Sequence, residues 1–253
     1  IRDRLSVAAD SIVAVKHFLA EEPGGFETLL AALRSDFAGA QLLRARLLGY
    51  PKYGANRQEP DETAVRVAAR VCEKVSALRN PSGAPFMPDF STPSTHLLYG
   101  CWVGATPDGR NARTMLGYGI DPRPEAVSAE LTDQLLSERK LPFGQMTGGY
   151  ASHIGLSPAI FADTPDAEAK GIALRDRIVR PLFSAGKEGA APYYVYFNID
   201  SAAHLRRILA DPEKLVPSGI YIMRIHGTFV NFLDLSPAIQ EDIVRRLERS
   251  ECA

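Results

Sequence analysis

The stretch Gly219-Ile220-Tyr221-Ile222-Met223-Arg224-Ile225-His226-Gly227-Thr228-Phe229-Val230-Asn231-Phe232 decides how the chain is read. Gly219–His226 is rich in β-branched and aromatic residues and predicts a strand, while Phe229–Phe232 predicts a second, short extended piece. Gly227 falls between them. On local grounds it is a hairpin tip, where glycine permits a backbone conformation that would strain other residues. Working upstream, Tyr193–Ile199 predicts a strand, with Asp200 or Ser201 capping the short helix after it. Thr164-Pro165 supplies an N-cap and an N1 proline for a helix to about Phe183. Ala151–Leu156 predicts a strand, Glu125–Arg139 a helix, Gly104–Asn111 a turn-rich loop and Thr95–Tyr99 a strand. Downstream, Ser236-Pro237 opens a helix to about Glu248. Strand–helix alternation of this kind predicts an α/β fold with substantial parallel character.

The first third reads differently. In Leu5–Ala20 the apolar residues Leu5, Ala8, Ala9, Ile12, Val15 and Leu19 recur at helical spacing, which places them on one buried face. Phe26–Phe37 and Ala40–Leu48 predict two shorter helices. Pro60–Arg79 carries the stripe Ala64, Val67, Ala68, Val71, Cys72, Val75 and Leu78, with Asp61 and Glu62 in its first turn and Pro81 beyond its end. Cys72 on that stripe is expected to be a small buried hydrophobe. Pro81–Pro93 is rich in Pro, Ser, Gly and Asp and predicts an irregular connection. Two parts are therefore expected: a mainly helical 1–92, and an α/β segment 93–253.

Composition removes whole classes of function. The 253 residues hold 29 Lys+Arg against 30 Asp+Glu, a net charge of −1, so neither nucleic acid nor an anionic membrane surface is an expected partner. No apolar run has transmembrane length. Cys72, Cys101 and Cys252 are scattered and odd in number, which predicts neither a disulfide framework nor a CxxC metal site, and suggests a reducing, cytoplasmic location. The five histidines are never at HxxxH or HxH spacing, so no metal site is expected. There is no GxSxG elbow and no P-loop, and Gly144–Gly149 lacks dinucleotide-binding spacing. In Gly104-Ala105-Thr106-Pro107-Asp108-Gly109-Arg110, Pro-Asp-Gly defines a tight turn, on its own a surface turn. The start at Ile1 in place of Met leads us to expect a piece of something longer.

Five segments, taken in order, resemble one family. Ser6-Val7-Ala8-Ala9-Asp10-Ser11-Ile12-Val13-Ala14-Val15-Lys16 resembles S-x-A-A-D-S-L-x-A-I-K, and Pro51-Lys52-Tyr53-Gly54 resembles P-K-Y/F-G-N. Gly104–Arg110 matches G-x-T-P-D-G-R without a mismatch. Phe197-Asn198-Ile199, Leu205 and Asp211-Pro212-Glu213-Lys214 resemble F-N-V … L … P-E-K. Arg224-Ile225-His226-Gly227, with Phe232 and Leu235–Leu247, resembles the ending R-V-x-G-Y … F … L-S … Q-x-x-I-I-x-R. The chain thus resembles the C-terminal part of a glycyl radical enzyme, the superfamily of pyruvate formate-lyase and the diol dehydratases, in a divergent branch.

The resemblance implies a portion of a ten-stranded α/β barrel, with half-barrel strands, surrounding helices and a finger loop near the C-terminus. It places a glycine radical domain at about 123–253 and the radical at Gly227, with Arg224, His226 and Thr228 supporting the loop. It implies no bound cofactor. The radical would be formed by a radical S-adenosylmethionine activating enzyme, which is one expected partner. An N-terminal portion or subunit carrying a thiyl cysteine is another, and the complete enzyme is expected to be a homodimer. The implied activity is radical bond cleavage or elimination on a small polar metabolite, of lyase, dehydratase or formate acyltransferase type. None of the three cysteines is assigned the thiyl role, although Cys101 lies nearest to one of the motifs. Substrate-binding residues are not identified. The pattern also departs from the family: Thr228 replaces the usual aromatic, His226 replaces a small residue, Gly189–Tyr194 replaces a G-G-x-x-x-Q segment, and Gly119-Ile120-Asp121-Pro122 is what remains of a longer stretch. Two other readings follow from these features, a separate radical-bearing subunit that docks on a partner enzyme, and a non-catalytic assembly or regulatory subunit that has lost the radical.

Overall fold

The computed structural model describes residues 5–91, 95–123, 131–180, 183, 194–225 and 228–251. The chain divides into two compact units, Ile1–Ala151 with Glu188–Ala190, and Ser152–Lys187 with Ala191–Ala253. The first unit opens with four consecutive helices before its first strand, and strands and helices are interspersed in the second, an α/β fold.

The first unit is built on helix α1 (Leu5–Glu21), which packs along α4 (Gln58–Ala77). Leu5 and Ala9 meet Ala64, Ala68 and Cys72, and the alanines let the two backbones approach closely. Farther along α1, Ala14 and Phe18 join Leu29 and Ala32 of α2 (Phe26–Arg34) and Leu47 of α3 (Gln41–Gly49) in a second cluster. The face that α1 buries is not the one its apolar spacing predicts. Ile12 is 50% exposed, whereas Ser6 and Asp10 are fully buried. The reason is that polar loops, described below, pack on this helix and recruit its two polar side chains. On α4 the stripe holds at Ala64, Ala68 and Cys72 but fails at Leu78, which lies past the helix end and is exposed.

Thr95–Tyr99 is helical, not extended: it opens α5 (Thr95–Trp102). His96, Leu97 and Leu98 are unbranched at Cβ, and leucine favours helix over strand. The connection after α4 contains one short strand, β1 (Asp89–Phe90), which pairs in parallel with the start of β2 (Gly149–Leu156) at Asp89↔Gly149 and Phe90↔Tyr150. Phe143 stacks on Tyr150 with centroids 4.6 Å apart. Helix α6 (Leu131–Glu138) realises the C-terminal part of the predicted Glu125–Arg139, and 124–130 lie outside the described residues.

In the second unit, the last part of β2 is followed by α7 (Ala167–Leu174), which runs into a π-helical turn at Arg175–Val179. Its N-cap is Asp166, not Thr164. The Asp166 carboxylate accepts from the Ala169 amide at 2.8 Å, while the Thr164 hydroxyl donates to the Phe161 carbonyl at 2.6 Å. Then come β3 (Tyr194–Ile199), α8 (Ala202–Ala210), the single turn α9 (Pro212–Leu215), the antiparallel pair β4 (Ile222–Ile225) and β5 (Thr228–Asn231), and α10 (Pro237–Glu251). Ala202, Leu205 and Ile208 of α8 pack with Met223, Phe232, Val244 and Leu247 to form the core of this unit.

Gly54 shows how tightly the first unit is assembled. It has φ +99°, and a Cβ there would lie 2.3 Å from Cβ of Pro122. Both the backbone and the packing therefore reject a side chain. Gly54→Ala should lower the unfolding free energy by roughly 2–5 kcal/mol, measured by urea titration. Gly39→Ala, also at positive φ but in open space, should cost only about 1–2 kcal/mol. Equal losses at the two sites would refute the packing argument.

Candidate functional site

Strands β4 and β5 pair in the register Ile222↔Asn231, Met223↔Val230, Arg224↔Phe229 and Ile225↔Thr228. Opposed residues of an antiparallel ladder share a face. Met223 is buried and faces the core with Val230, whereas Ile222, Arg224 and Phe229 are exposed, Phe229 to 71%. The Arg224 guanidinium carbon lies 5.8 Å from the centroid of the Phe229 ring, a cation–π contact across the pair. Of the four residues predicted for this site, Arg224 and Thr228 therefore stand in the two facing strands at the closed end of the ladder. His226 and Gly227, the two residues between Ile225 and Thr228, lie outside the described residues.

The base of this hairpin is fixed by side chains that spacing alone did not single out for the purpose. The Tyr221 amide donates to Asn231 Oδ1 at 2.8 Å, and Asn231 Nδ2 donates to the Gly219 carbonyl at 2.9 Å. The Phe232 amide donates to the Tyr221 carbonyl at 2.7 Å, and Gln240 Nε2 of α10 donates to the Phe232 carbonyl at 3.0 Å. Fully buried Phe232 anchors the whole in the core. The Tyr221 hydroxyl donates to Asp200 Oδ2, and His204 Nδ1 lies 2.9 Å from Asp200 Oδ1. Burial, reinforced by the adjacent Asp200 carboxylate, pushes the Tyr221 phenol well above its usual range, so it stays protonated as a donor. The alternative at the start of α8 resolves in favour of Ser201, whose hydroxyl accepts from the His204 amide at 3.0 Å. Asp200 instead ties the end of β3 to the hairpin.

The motif segments of the first unit also converge, but as a sealed polar frame. The 104–110 loop is not a surface turn: Asp108 and Arg110 are 0% exposed. Its turn has the expected form, with Gly109 at φ +91° and its amide donating to the Thr106 carbonyl at 3.0 Å. Arg110 Nη1 donates to the Thr114 carbonyl at 2.7 Å, Nε to Thr106 Oγ1 at 3.2 Å, and Nη2 to the carbonyls of Val103 and Gly104. Tyr53 joins two further segments, its amide donating to Asp10 Oδ1 at 2.7 Å and its hydroxyl to the Ile120 carbonyl at 3.0 Å. These residues tie the backbone segments of the first unit to one another.

Other chemistry is sparse. Among the described residues no three His, Cys, Asp or Glu side chains are grouped to hold a metal. Cys72 is buried, as expected, and burial pushes its thiol up and away from the reactive thiolate. Cys101 is exposed, and Cys252 lies outside the described residues. A cleft of about 280 Å³ between Pro158, Phe161, Lys170, Gly171, Leu174 and Ile199 is almost wholly apolar. Among the described residues no helix is long and apolar enough to cross a membrane.

Comparison with known proteins points one way. Residues 4–100 match the family described as pyruvate formate lyase-like. Over 249 residues the chain is 29% identical to a probable dehydratase, YbiW, of Escherichia coli, covering 94% of this chain and 29% of the relative. It is 26% identical to a formate acetyltransferase of Haemophilus influenzae, covering 96% and 30%. Among solved structures, the B12-independent glycerol dehydratase of Clostridium butyricum superposes with a TM-score of 0.78 at 27% identity, over 96% of this chain and 29% of that one. A glycyl radical enzyme of Archaeoglobus fulgidus shares the fold, with a TM-score of 0.80 at 24% identity over 97% and 30%. The chain thus spans about three-tenths of the length of the relatives it matches.

The Tyr221–Asp200 bond makes the hairpin's anchorage testable. Tyr221→Phe should cost about 1–2 kcal/mol of stability and raise the hydrogen-exchange rate of the Ile222–Ile225 and Thr228–Asn231 amides more than that of α10. Unchanged exchange in the hairpin would mean that the main-chain and Phe232 contacts alone fix it.

Proposed function

The chain is a divergent member of the pyruvate formate-lyase-like glycyl radical enzymes, and from that premise we propose that it supplies the radical-storing portion of such an enzyme, with Gly227 as the radical site. The observation that carries this reading is the β4–β5 ladder. It pairs Ile225 with Thr228 and is anchored at its base, which supports reading the intervening R-I-H-G glycine as the radical site. A Cα radical is most stable when planar, with its spin shared by the flanking amide nitrogen and carbonyl. Only glycine, without a Cβ, reaches that geometry unhindered. A radical S-adenosylmethionine enzyme would remove one hydrogen atom from the Gly227 Cα. The glycyl radical would then take a hydrogen atom from a thiol, leaving a thiyl radical to attack the substrate.

The thiol belongs, in this reading, to an N-terminal portion or subunit. Cys72 lies in a helix core with a raised pKa, and neither Cys101 nor Cys252 takes the role. The same portion would complete the ten-stranded barrel, close the cavity against water and oxygen, and carry the substrate residues. The reaction is radical cleavage or elimination on a small polar metabolite, of dehydratase, lyase or formate acyltransferase type, in an anaerobic cytoplasm and as a homodimer of the complete enzyme. Support comes from the relatives, whose names span a probable dehydratase, a formate acetyltransferase and an isethionate sulfite-lyase. Arg224 and Thr228 serve the loop by holding the facing strands in register.

The experiment is anaerobic incubation with radical S-adenosylmethionine activases, read by electron paramagnetic resonance. A doublet glycyl signal is expected from the wild-type chain and none from Gly227→Ala. Exposure of the activated protein to air should cut the backbone at Gly227 and release the short C-terminal fragment. Silence with several activases, while a control enzyme is activated alongside, would overturn the proposal. The Thr228 departure would then favour the non-catalytic assembly subunit.

A further inference from the structure

Four formally charged side chains are sealed together in the first unit: Asp10 and Asp108 at 0% exposure, Arg123 at 2% and Lys52 at 4%. They are unequally satisfied. Lys52 Nζ donates to the carbonyls of Leu47 and Tyr50 at 2.7 and 2.9 Å. Asp108 Oδ1 accepts from the Thr106 hydroxyl at 2.5 Å, and its Oδ2 lies 3.1 Å from Arg123 Nη2. Asp10 Oδ1 accepts from the Tyr53 amide. Asp10 Oδ2, equally buried, receives no hydrogen bond among the described residues. An ionised carboxylate with a bare oxygen in a dry interior is a costly arrangement, and a second carboxylate in the same cluster makes it worse. A proton cancels the charge and, with it, the repulsion from the second carboxylate.

We propose that Asp10 is carried as the neutral carboxylic acid within the buried cluster it shares with Asp108, Lys52 and Arg123. The charged groups facing Asp10 are Asp108, Lys52 and Arg123. Burial is the largest influence and raises its pKa; the Tyr53 amide opposes it, Asp108 adds to it, and Lys52 and Arg123 oppose it, leaving the group pushed up to about 8 from 3.8. The folded chain therefore holds this proton more tightly than the unfolded chain does. The group's contribution to stability is complete below the unfolded value of 3.8 and is lost as pH rises through about 8. Burial lowers Lys52, which gives a slope of the opposite sign that Asp10→Asn leaves in place.

The test compares wild type with Asp10→Asn, which has nearly the same shape and replaces the O–H by a permanent N–H donor. Between about pH 5.5 and 8 the wild-type folding constant should lose up to about tenfold per pH unit through this one proton. Asp10→Asn should lack that component of the slope, so its stability relative to wild type should rise steadily with pH across this range. A variant that is destabilised at every pH with an unchanged slope would overturn the proposal, because Asp10 would then act as an ionised partner of Lys52 and Arg123. If the variant does not fold, the carboxyl ¹³C resonance of Asp10 in the wild-type chain decides. A protonated shift at neutral pH that titrates near 8 supports the proposal, and an ionised shift at neutral pH ends it.

Discussion

Helix α1 has to satisfy two kinds of neighbour at once, and the first unit is arranged around that requirement. Its apolar residues serve two separate clusters, Leu5 and Ala9 against α4, and Ala14 and Phe18 against α2 and α3. Between these, Ser6 and Asp10 turn inward to loops that bring their own charges. A helix that buries a carboxyl group held by the Tyr53 amide cannot rotate or slide without stranding it. The 104–110 loop is under the same kind of constraint. Arg110 is fully buried, and its guanidinium is occupied by carbonyls and a hydroxyl of its own loop and the residues next to it. Its role is therefore to set a backbone course, and the tight turn at Gly109 follows that course inside the protein.

The second unit solves a different problem with a different device. A hairpin of two four-residue strands is marginal alone. Its inward face contributes only Met223 fully to the core, while Ile222 and Phe229 remain exposed. Stability has to come from the base, through Phe232, Asn231, Gln240 and the Tyr221–Asp200–His204 group.

Much of this architecture was legible in the residues, for reasons that also explain where legibility stopped. Periodicity located α1 and α4 because a long apolar repeat is a local property, while Ser236-Pro237 marked the start of α10. Periodicity misjudged which face α1 buries, since Asp10 is drawn in by Tyr53, a partner more than forty residues away. Thr95–Tyr99 was misread because a short apolar run has no period that separates helix from strand. Thr164 lost the cap of α7 because its hydroxyl had a nearer acceptor in Phe161. At the candidate site, Arg224 stands in the strand the pattern implied and Thr228 opens β5 one residue before the predicted extended piece, but the Tyr221–Asp200 bond joins residues 21 apart and carries no sequence signature. Asp200 and Ser201 both read as caps, and Asp200 is a tether.

The sealed charges of the first unit also bear on how the chain reaches its structure. Asp10, Lys52, Asp108 and Arg123 arrive from four separate segments, and Arg123 meets Asp108 only once the chain between them has taken its course. A compact arrangement that buries Asp108 without Arg123 encloses a charge without its counterpart, which costs several kcal/mol. Hydrophobic collapse alone does not discriminate among compact arrangements, because any of them covers apolar surface. The buried charges do discriminate: near misses stay high in energy, so the cluster acts as a checkpoint against folding errors, at the expense of a slower search dominated by long-range contacts.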